Sequence, residues 1–415
     1  IPFFALTLSA QDTSSQSNVD WTNNTFSSVI ELDIKKSNIQ IPSGRSAAKQ
    51  IITTKIPELL KDPVLALTVD SSKHLGDVVL QETISLDQIT NLVEDSNKTS
   101  PHYANNSDCM IVNHEMDINN LSAMLVRHKI AYTPKQTIKK ISSRPYTGII
   151  IDARGVLPVQ GEFVSEKGKP CFFPRIWNES MDLIYEKNME DSETAKKIGV
   201  VSYHYSSDEK LYSQRIGNDP LRITAKKIFG INRTDPVIST KDALKILSVP
   251  ENKELLRQGK VVILLDKEEL IYKAVAPEKN ESYYVVYRDT QEFFYERKIP
   301  DVAVEDSYKG IKILVHNLKF IADSNEFLPE EKSRLDALYE ELADKTSSGE
   351  FSILVEGHTA SVGKPNGEMN LSIDRAKTLI NEMTSRGISP SIFSFKGYGG
   401  TIPLADNNTE EGRAQ

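Results

Sequence analysis

Residues 351–377, FSILVEGHTASVGKPNGEMNLSIDRAK, hold the side chains of this sequence whose types and spacing could bind a charged ligand. An apolar run at 353–355 predicts a strand that ends at Gly357. A loop of small residues follows, and a helix that carries Arg375 comes after it. A guanidinium fixed on a helix can bind a carboxylate through two parallel hydrogen bonds.

The spacing of this stretch resembles the loop-and-helix core of the OmpA-like peptidoglycan-binding family. The pattern of that family is Gly-His/Tyr-Thr-Asp, then a glycine, then Asn-x-x-Leu-Ser-x-x-Arg-Ala. The residues that match it without a gap are Thr359, Gly363, Leu371, Ser372, Arg375 and Ala376. The loop aspartate of the family falls on Ala360, and its tyrosine and asparagine before the helix fall on Gly367 and Glu368.

The resemblance implies a site for the diaminopimelate of a wall peptide, which presents a carboxylate and an ammonium on one carbon. Arg375 is expected to bind the carboxylate, whereas Ala360 offers no acceptor to the ammonium. Losing one partner of a desolvated charged contact costs about 2–5 kcal/mol, so recognition is expected to be weakened or altered. The residues expected at the site are Arg375, Thr359, Ala360, Gly363, Glu368, Leu371 and Ser372.

Two alternatives stay open for the charged residues of this site. Glu368 is one candidate to replace the missing loop carboxylate. Arg375 could instead serve the structure, in an ion pair with Asp374 or Glu368. The alanine in the loop resembles spirochaete, especially treponemal, versions of the family, so the expected partner is peptidoglycan, with an ornithine-containing peptide as one alternative ligand. The other hypothesis is a periplasmic structural scaffold whose first two domains bind protein partners.

The 415 residues predict three α+β domains. Residues 1–28 are interpreted as a signal-peptide remnant and a flexible leader, because an apolar run and Leu-Ser-Ala precede sequence rich in Ser, Asn and Thr. An α+β domain is expected over 29–144. A central α/β domain is expected over 145–300, with an aromatic hairpin at 283–295 and a linker at its end. The OmpA-like domain is expected over 301–415, in the order β-α-β-α-β.

The central domain resembles, over about residues 145–272, modules of exported bacterial lipoproteins and flagellum-associated envelope proteins. Other envelope proteins are therefore expected to bind through residues 29–300. Asp152 and Arg154 follow a buried strand, where α/β enzymes place catalytic groups, but an ion pair or a strand-end cap is the favoured interpretation. The sequence has no phosphate loop or nucleophile elbow beside them. It therefore predicts no enzyme, no catalytic residue and no cofactor.

The charge and composition exclude some further classes of function. A net charge of −8 argues against a general nucleic-acid binder, which would be basic. The sequence has no run near the roughly 20 apolar residues that a membrane-spanning helix needs. With a signal-peptide remnant, this predicts the periplasm, with outer-membrane association as one option. His114, Glu115 and His128 lack zinc-motif spacing, and Cys109 and Cys171 are too few for a disulfide scaffold.

Overall fold

The computed structural model describes residues 13–37, 39, 43–104, 108–134, 140–275, 279, 281–307, 310–321, 324–346, 351–361 and 363–402. Helices and strands alternate in three successive parts of the chain, which confirms the predicted α+β class. No helix in these residues combines the length and the apolar character that a bilayer crossing requires.

The first part is an antiparallel sheet with helices packed on it. Its elements are β1 Thr13–Asp20, β2 Thr25–Asp33, α1 Arg45–Leu65, α2 Leu75–Leu80, α3 Leu86–Asp95, β3 Asn97–Lys98, β4 His102–Tyr103, β5 Cys109–Asp117 and α4 Asn119–Leu125. Strands β1, β2, β5 and β3 are neighbours in that order, and β4 also pairs with β5. Helix α1 buries Ile52, Ile56 and Leu60, four residues apart, so one face of it covers the sheet.

The expected flexible leader over residues 11–28 is wrong where the structure describes it, because β1 and the start of β2 occupy that stretch. Polar composition misled the prediction, since the small hydroxyl side chains that face inward find partners. The hydroxyls of Ser17 and Ser28 lie 2.8 Å apart and are buried, and Val19 beside them is fully buried. The proposed signal-peptide remnant falls in residues 1–12, outside the described residues.

The second part contains a parallel sheet and a smaller mixed sheet. Its elements are β6 Ile149–Asp152, β7 Val156–Pro158, β8 Ser165–Lys167, β9 Ile176–Asn178, β10 Leu183–Tyr185, α5 Ser192–Ile198, β11 Ser202–His204, α6 Ser213–Ile216, β12 Leu221–Thr224, β13 Lys227–Phe229, β14 Asp235–Ile238, α7 Thr240–Leu247, α8 Pro250–Arg257, β15 Val261–Leu264, α9 Lys267–Leu270 and β16 Ile271–Lys273. The parallel sheet has the order β11-β15-β6-β12, and the mixed sheet has the order β10-β9-β14-β13. Strand β16 belongs to neither of these sheets. It pairs with β1 and so joins the second part to the sheet of the first part.

The aromatic hairpin predicted over residues 283–295 is also wrong, because α10 Glu281–Glu296 spans that stretch. The runs of Tyr, Val and Phe favour strands locally, but the buried residues recur with the helical period. Thr290 and Phe294 are four residues apart and buried, and the Thr290 hydroxyl donates to Glu341 at 2.7 Å. Tertiary packing of one helical face therefore overrides the local β preference.

The third part begins with an antiparallel hairpin and continues as a βαβ unit. Its elements are β17 Val302–Ser307, β18 Gly310–Val315, α11 Lys332–Thr346, β19 Ile353–Gly357, α12 Pro365–Ser385 and β20 Phe393–Gly397. Strands β17 and β18 pair with each other, and β19 pairs with β20 in parallel. From β18 onward the order is β-α-β-α-β, as the resemblance implies.

Two glycines let α12 lie directly on the ends of β19 and β20. Gly357 and Gly397 are partners in the strand register. A Cβ on Gly357 would lie 2.0 Å from the Ser372 carbonyl oxygen, and a Cβ on Gly397 would lie 2.4 Å from the Ile373 side chain. Only residues without a side chain permit so close an approach.

We predict that Gly357→Ala destabilises the third part, because the added methyl meets backbone that cannot move aside. Overpacking of this kind costs about 1–3 kcal/mol, and urea unfolding followed by circular dichroism measures it. Gly310→Ala is the matched control, since a Cβ there meets open space and a shift within about 1 kcal/mol is expected. Equal stability of the two variants would contradict the close packing.

Candidate functional site

The candidate site is built on the turn from β19 into α12. After Gly357 the chain forms the loop that carries Thr359 and Ala360, and α12 starts at Pro365, where the missing N–H costs nothing. Gly363 in this loop has a φ of +86°, a left-handed conformation that glycine adopts without strain. The structure therefore brings the predicted loop and the predicted helix together in sequence order.

Arg375 is half-buried on α12 and lies against an aromatic surface. Its guanidinium carbon is 4.4 Å from the centroid of the Phe320 ring, and its Nε donates to the Ser324 carbonyl at 3.3 Å. The Phe320 ring packs on Phe327, with centroids 4.6 Å apart. The ring face and the carbonyl fix the orientation of the cation, which a bidentate contact with a carboxylate requires.

The loop residues are held by the segment that follows β20. The Thr359 N–H donates to the Gly399 carbonyl at 3.0 Å, and its hydroxyl donates to the Glu368 carbonyl at 3.3 Å. Ala360 is half-buried in this loop and contributes a methyl group. A Cβ on Gly400 would lie 2.7 Å from the backbone of Ser361, so the two segments are in close contact.

Glu368 lies at the start of α12 with its side chain turned back toward the loop. The residue is only 7% exposed, and its Oε1 accepts the Lys364 N–H at 2.9 Å. This contact satisfies a backbone donor that precedes the first helical turn and puts negative charge at the positive end of the helix. The carboxylate therefore stabilises the loop-to-helix turn, which sequence analysis did not anticipate.

Leu371 and Ser372 differ in their exposure. Leu371 is half-buried, whereas Ser372 is fully buried. The Ser372 hydroxyl donates to the Met369 carbonyl at 2.7 Å and accepts the Gly399 N–H at 2.9 Å. Ser372 thus connects α12 to the same segment that holds Thr359, and it acts on the geometry of the loop.

Arg375 and the second part of the chain lie on different sides of helix α12. Met369 and Ile373 face the second part, where Ile373 lies against Gly161. At 100° per residue, Arg375 is about 160° around the helix from Ile373. The face that carries Arg375 therefore points away from the second part.

His358 packs under the loop as an uncharged ring. It stacks on Tyr398 with ring centroids 5.1 Å apart and an interplanar angle of 14°. Burial, with the positive charge of Lys312 as a smaller cause, lowers the pKa of His358 to about 4. His358 occupies the His/Tyr position of the family pattern, and in the structure it is a packing residue.

The remaining candidates of the sequence do not assemble into a second site. Both carboxylate oxygens of Asp152 accept from Arg154, at 2.9 and 2.5 Å, and this contact holds the pKa of Asp152 below its ordinary value. Of the three candidate metal ligands, His114 lies on the buried face of β5 and Glu115 on its exposed face. His128 hydrogen bonds with the Glu190 carbonyl. Within the described residues, clusters of His, Cys, Asp and Glu able to hold a metal are absent.

The two cysteines are both free thiols in the structure. Cys171 is fully buried, and burial raises the pKa of its thiol well above the ordinary value. Cys109 is half-buried at the start of β5. Cys109 and Cys171 are therefore not joined by a disulfide in the structure.

Residues that contact the second part were missed by sequence analysis. Lys396, the penultimate residue of β20, is 1% exposed and pairs with Glu162 at 2.7 Å. The two residues are far apart in sequence, and an alternating strand pattern does not reveal a buried lysine. Tyr398, in the Gly-Tyr-Gly sequence at residues 397–399, packs against Phe229 of the second part.

Comparison with known proteins agrees with this geometry. Residues 319–415 match the sequence model of the OmpA family, so this part of the chain is an OmpA family domain. The preceding parts match models of Treponema pallidum Tp0624: residues 12–124 match its N-terminal domain, and residues 148–267 match its second domain. The predicted OmpA-like and treponemal resemblance is therefore confirmed.

Individual relatives resemble only part of the chain. Outer membrane porin F of Pseudomonas fluorescens is 42% identical over 60 residues, which are 14% of this chain and 18% of that protein. The probable lipoprotein YiaD of Escherichia coli K12 is 27% identical over 132 residues, 31% of this chain and 59% of that protein. An outer membrane protein structure from Borrelia burgdorferi B31 is 26% identical, covers 24% of this chain and 85% of that one, and has a TM-score of 0.22. The chain spans less than two thirds of both curated relatives.

We predict that His358 makes the protein less stable in mild acid. Between its ordinary pKa of 6.5 and the folded value of about 4, the unfolded chain binds a proton at this site and the folded chain does not. The free energy of unfolding therefore falls as the pH is lowered through this window, by up to about 1.4 kcal/mol per pH unit.

His358→Gln should flatten this part of the pH dependence, measured by urea unfolding at several values between pH 7 and 4. The matched control is His102→Gln, since His102 is an exposed histidine of the first part. Parallel curves for the parent and His358→Gln would show that the ring titrates normally.

Proposed function

We propose that this is an exported cell-envelope protein that associates with peptidoglycan through its OmpA family domain, with altered recognition of diaminopimelate. The proposed location is the periplasm, associated with the outer membrane, where the names of the relatives place those proteins. The observation that carries the proposal is Arg375, whose guanidinium lies over Phe320 on the helix that follows the loop after β19.

Arg375 supplies the carboxylate-binding half of the site. A planar guanidinium with several donors matches a carboxylate in a bidentate geometry, and the Nε donation to the Ser324 carbonyl helps to orient it. The domain therefore suits a wall peptide with a carboxylate at its branch.

The ammonium-binding half is altered. Ala360 has no acceptor, and the Glu368 carboxylate, which could replace the missing aspartate, is buried and holds the Lys364 N–H. We therefore assign Thr359, Gly363, Leu371, Ser372 and Glu368 to the shape of the loop and Arg375 to the ligand. We therefore propose that the ligand binds without an ammonium contact at Ala360, or that an ornithine-containing peptide binds in a different way. The proposal involves no catalytic step.

A structural role in the envelope is the second candidate. The observation that favours it is the burial of Lys396 and Tyr398 against the second part of the chain, which makes the OmpA family domain part of a larger body. In this alternative the first two parts bind other envelope proteins and the domain no longer binds wall peptide. Pull-downs from envelope extracts with Arg375→Ala would then recover the same partners as the parent, and neither chain would bind wall.

We predict that Arg375→Ala weakens sedimentation with isolated sacculi by about 30-fold or more, because removal of one partner of a charged contact costs about 2–5 kcal/mol. Arg386→Ala is the matched control at the C-terminal cap of the same helix, since Arg386 pairs with Glu382 at 2.6 Å and also with Asp336. Equal loss in the two variants, or no loss in Arg375→Ala, would argue against a ligand role for Arg375.

We further predict that Ala360→Asp raises affinity for a diaminopimelate muropeptide by about 30-fold or more, measured by calorimetry, because it restores the ammonium acceptor. Ala360→Asn has nearly the same shape without the charge and should give a much smaller gain. An ornithine muropeptide titrated into the parent tests the alternative ligand. Binding of the diaminopimelate peptide to the parent at micromolar strength or tighter would contradict altered recognition.

A further inference from the structure

The second part of the chain packs on the OmpA family domain through a buried ion pair and an aromatic cluster. Lys396 pairs with Glu162 at 2.7 Å, and its ammonium is 4.7 Å from the centroid of the Phe229 ring. Tyr398 is fully buried, and its ring lies 5.9 Å from that of Phe229, which in turn contacts Trp177. Breaking one partner of a buried ion pair is strongly destabilising, so this contact fixes how the two parts are joined.

The packed residues are adjacent to the candidate ligand loop. The Tyr398 N–H donates to the Gly357 carbonyl at 2.9 Å, and this hydrogen bond fixes the position of the end of β19. Gly399, the next residue, accepts the Thr359 N–H through its carbonyl and donates its own N–H to Ser372. A displacement of Tyr398 therefore moves the groups that hold the loop.

Arg175 makes a second connection from the second part to this segment. Its Nη1 donates to the Thr401 carbonyl at 3.3 Å. Its backbone N–H donates to Asp235 at 3.1 Å, and this fully buried carboxylate also accepts the Trp177 indole N–H at 3.1 Å. The Thr401 N–H and hydroxyl both donate to the Tyr398 carbonyl, so the segment 398–401 is a turn closed on itself and held from outside.

We infer that the second part of the chain positions the wall-binding loop of the OmpA family domain, with Arg175 and Glu162 as positioning residues. The inference rests on the proposed function and adds that the binding site is complete only in the docked arrangement. Neither residue is a candidate ligand contact, because the docked face of α12 lies opposite the face that carries Arg375. Docking therefore supports the loop from behind and leaves the ligand side uncovered.

The physical reason is the entropy of the loop. A loop that is ordered only on binding loses conformational freedom at that moment, and this lowers affinity. Residues 358–361 rest on segment 398–401, and that segment rests on Arg175 and on the cluster around Tyr398. Removal of these contacts should loosen the loop while the helix that carries Arg375 stays folded.

The test uses the full chain and two readouts, sedimentation with isolated sacculi and amide hydrogen exchange. We expect Arg175→Ala and Glu162→Gln each to weaken sedimentation by about 5- to 10-fold, the scale of ordering one short loop. Exchange at the Thr359 and Gly399 amides should accelerate in the same variants. Arg175→Lys should recover part of both effects, since its ammonium can donate to the Thr401 carbonyl.

Arg222→Ala is the matched control, because Arg222 forms an exposed ion pair with Glu209 elsewhere in the second part. Unchanged exchange at Thr359 and Gly399 in Arg175→Ala and Glu162→Gln would overturn the inference, as would tighter sedimentation, which would mean that docking covers the site. If the parent itself fails to sediment with sacculi, the proposed function fails, whereas the exchange measurement still decides whether the second part positions the loop.

Discussion

The contact of α12 with two paired glycines is the constraint on which the rest of the site depends. Gly357 and Gly397 bring the Ser372 backbone onto the strand ends, at a distance that no side chain would allow. The Ser372 hydroxyl accepts the Gly399 N–H, and the Gly399 carbonyl accepts the Thr359 N–H. Arg375 lies about one helical turn after Ser372, with its guanidinium over Phe320. The position of the cation relative to the loop is therefore set by backbone packing.

The electrostatics of the site follow from this packing. Arg375 loses part of its hydration and gains a ring face and a carbonyl, which orient the guanidinium. Across the loop, Ala360 contributes no charge, and the carboxylate of Glu368 is used to begin α12. Under the proposed function the site is therefore asymmetric, with Arg375 proposed to bind a ligand carboxylate and the methyl group of Ala360 proposed to lie where a ligand ammonium would need an acceptor.

Sequence reasoning succeeded where a feature is encoded locally. The spacing from Thr359 to Arg375 predicted the loop and helix, and the buried strand expected before Asp152 is β6. It failed for β1, where hydroxyl side chains such as Ser17 hydrogen bond within the sheet, and for α10, where β-favouring aromatics lie on a helix packed at Thr290. Both failures arise because tertiary contacts decide between local alternatives.

The docking contacts of the site were beyond sequence reasoning for a different reason. Lys396 and Glu162 are separated by most of the second and third parts, and each looks like an ordinary surface charge in its own segment. Only the folded chain shows that Lys396 is buried and that Tyr398, two residues later, donates its N–H to Gly357 at the start of the loop. The local motif thus identifies the domain, whereas the orientation of its loop depends on the whole chain.

The most direct test of the central claim is the side-chain Nε–Hε NMR signal of Arg375 in the full chain labelled with ¹⁵N-arginine, assigned with Arg375→Lys and followed during titration with a diaminopimelate muropeptide. The account predicts that this signal shifts progressively with ligand, and shifts at lower ligand concentration in Ala360→Asp. A signal that stays fixed while signals elsewhere in the chain respond would contradict it, because the ligand would then bind without the guanidinium.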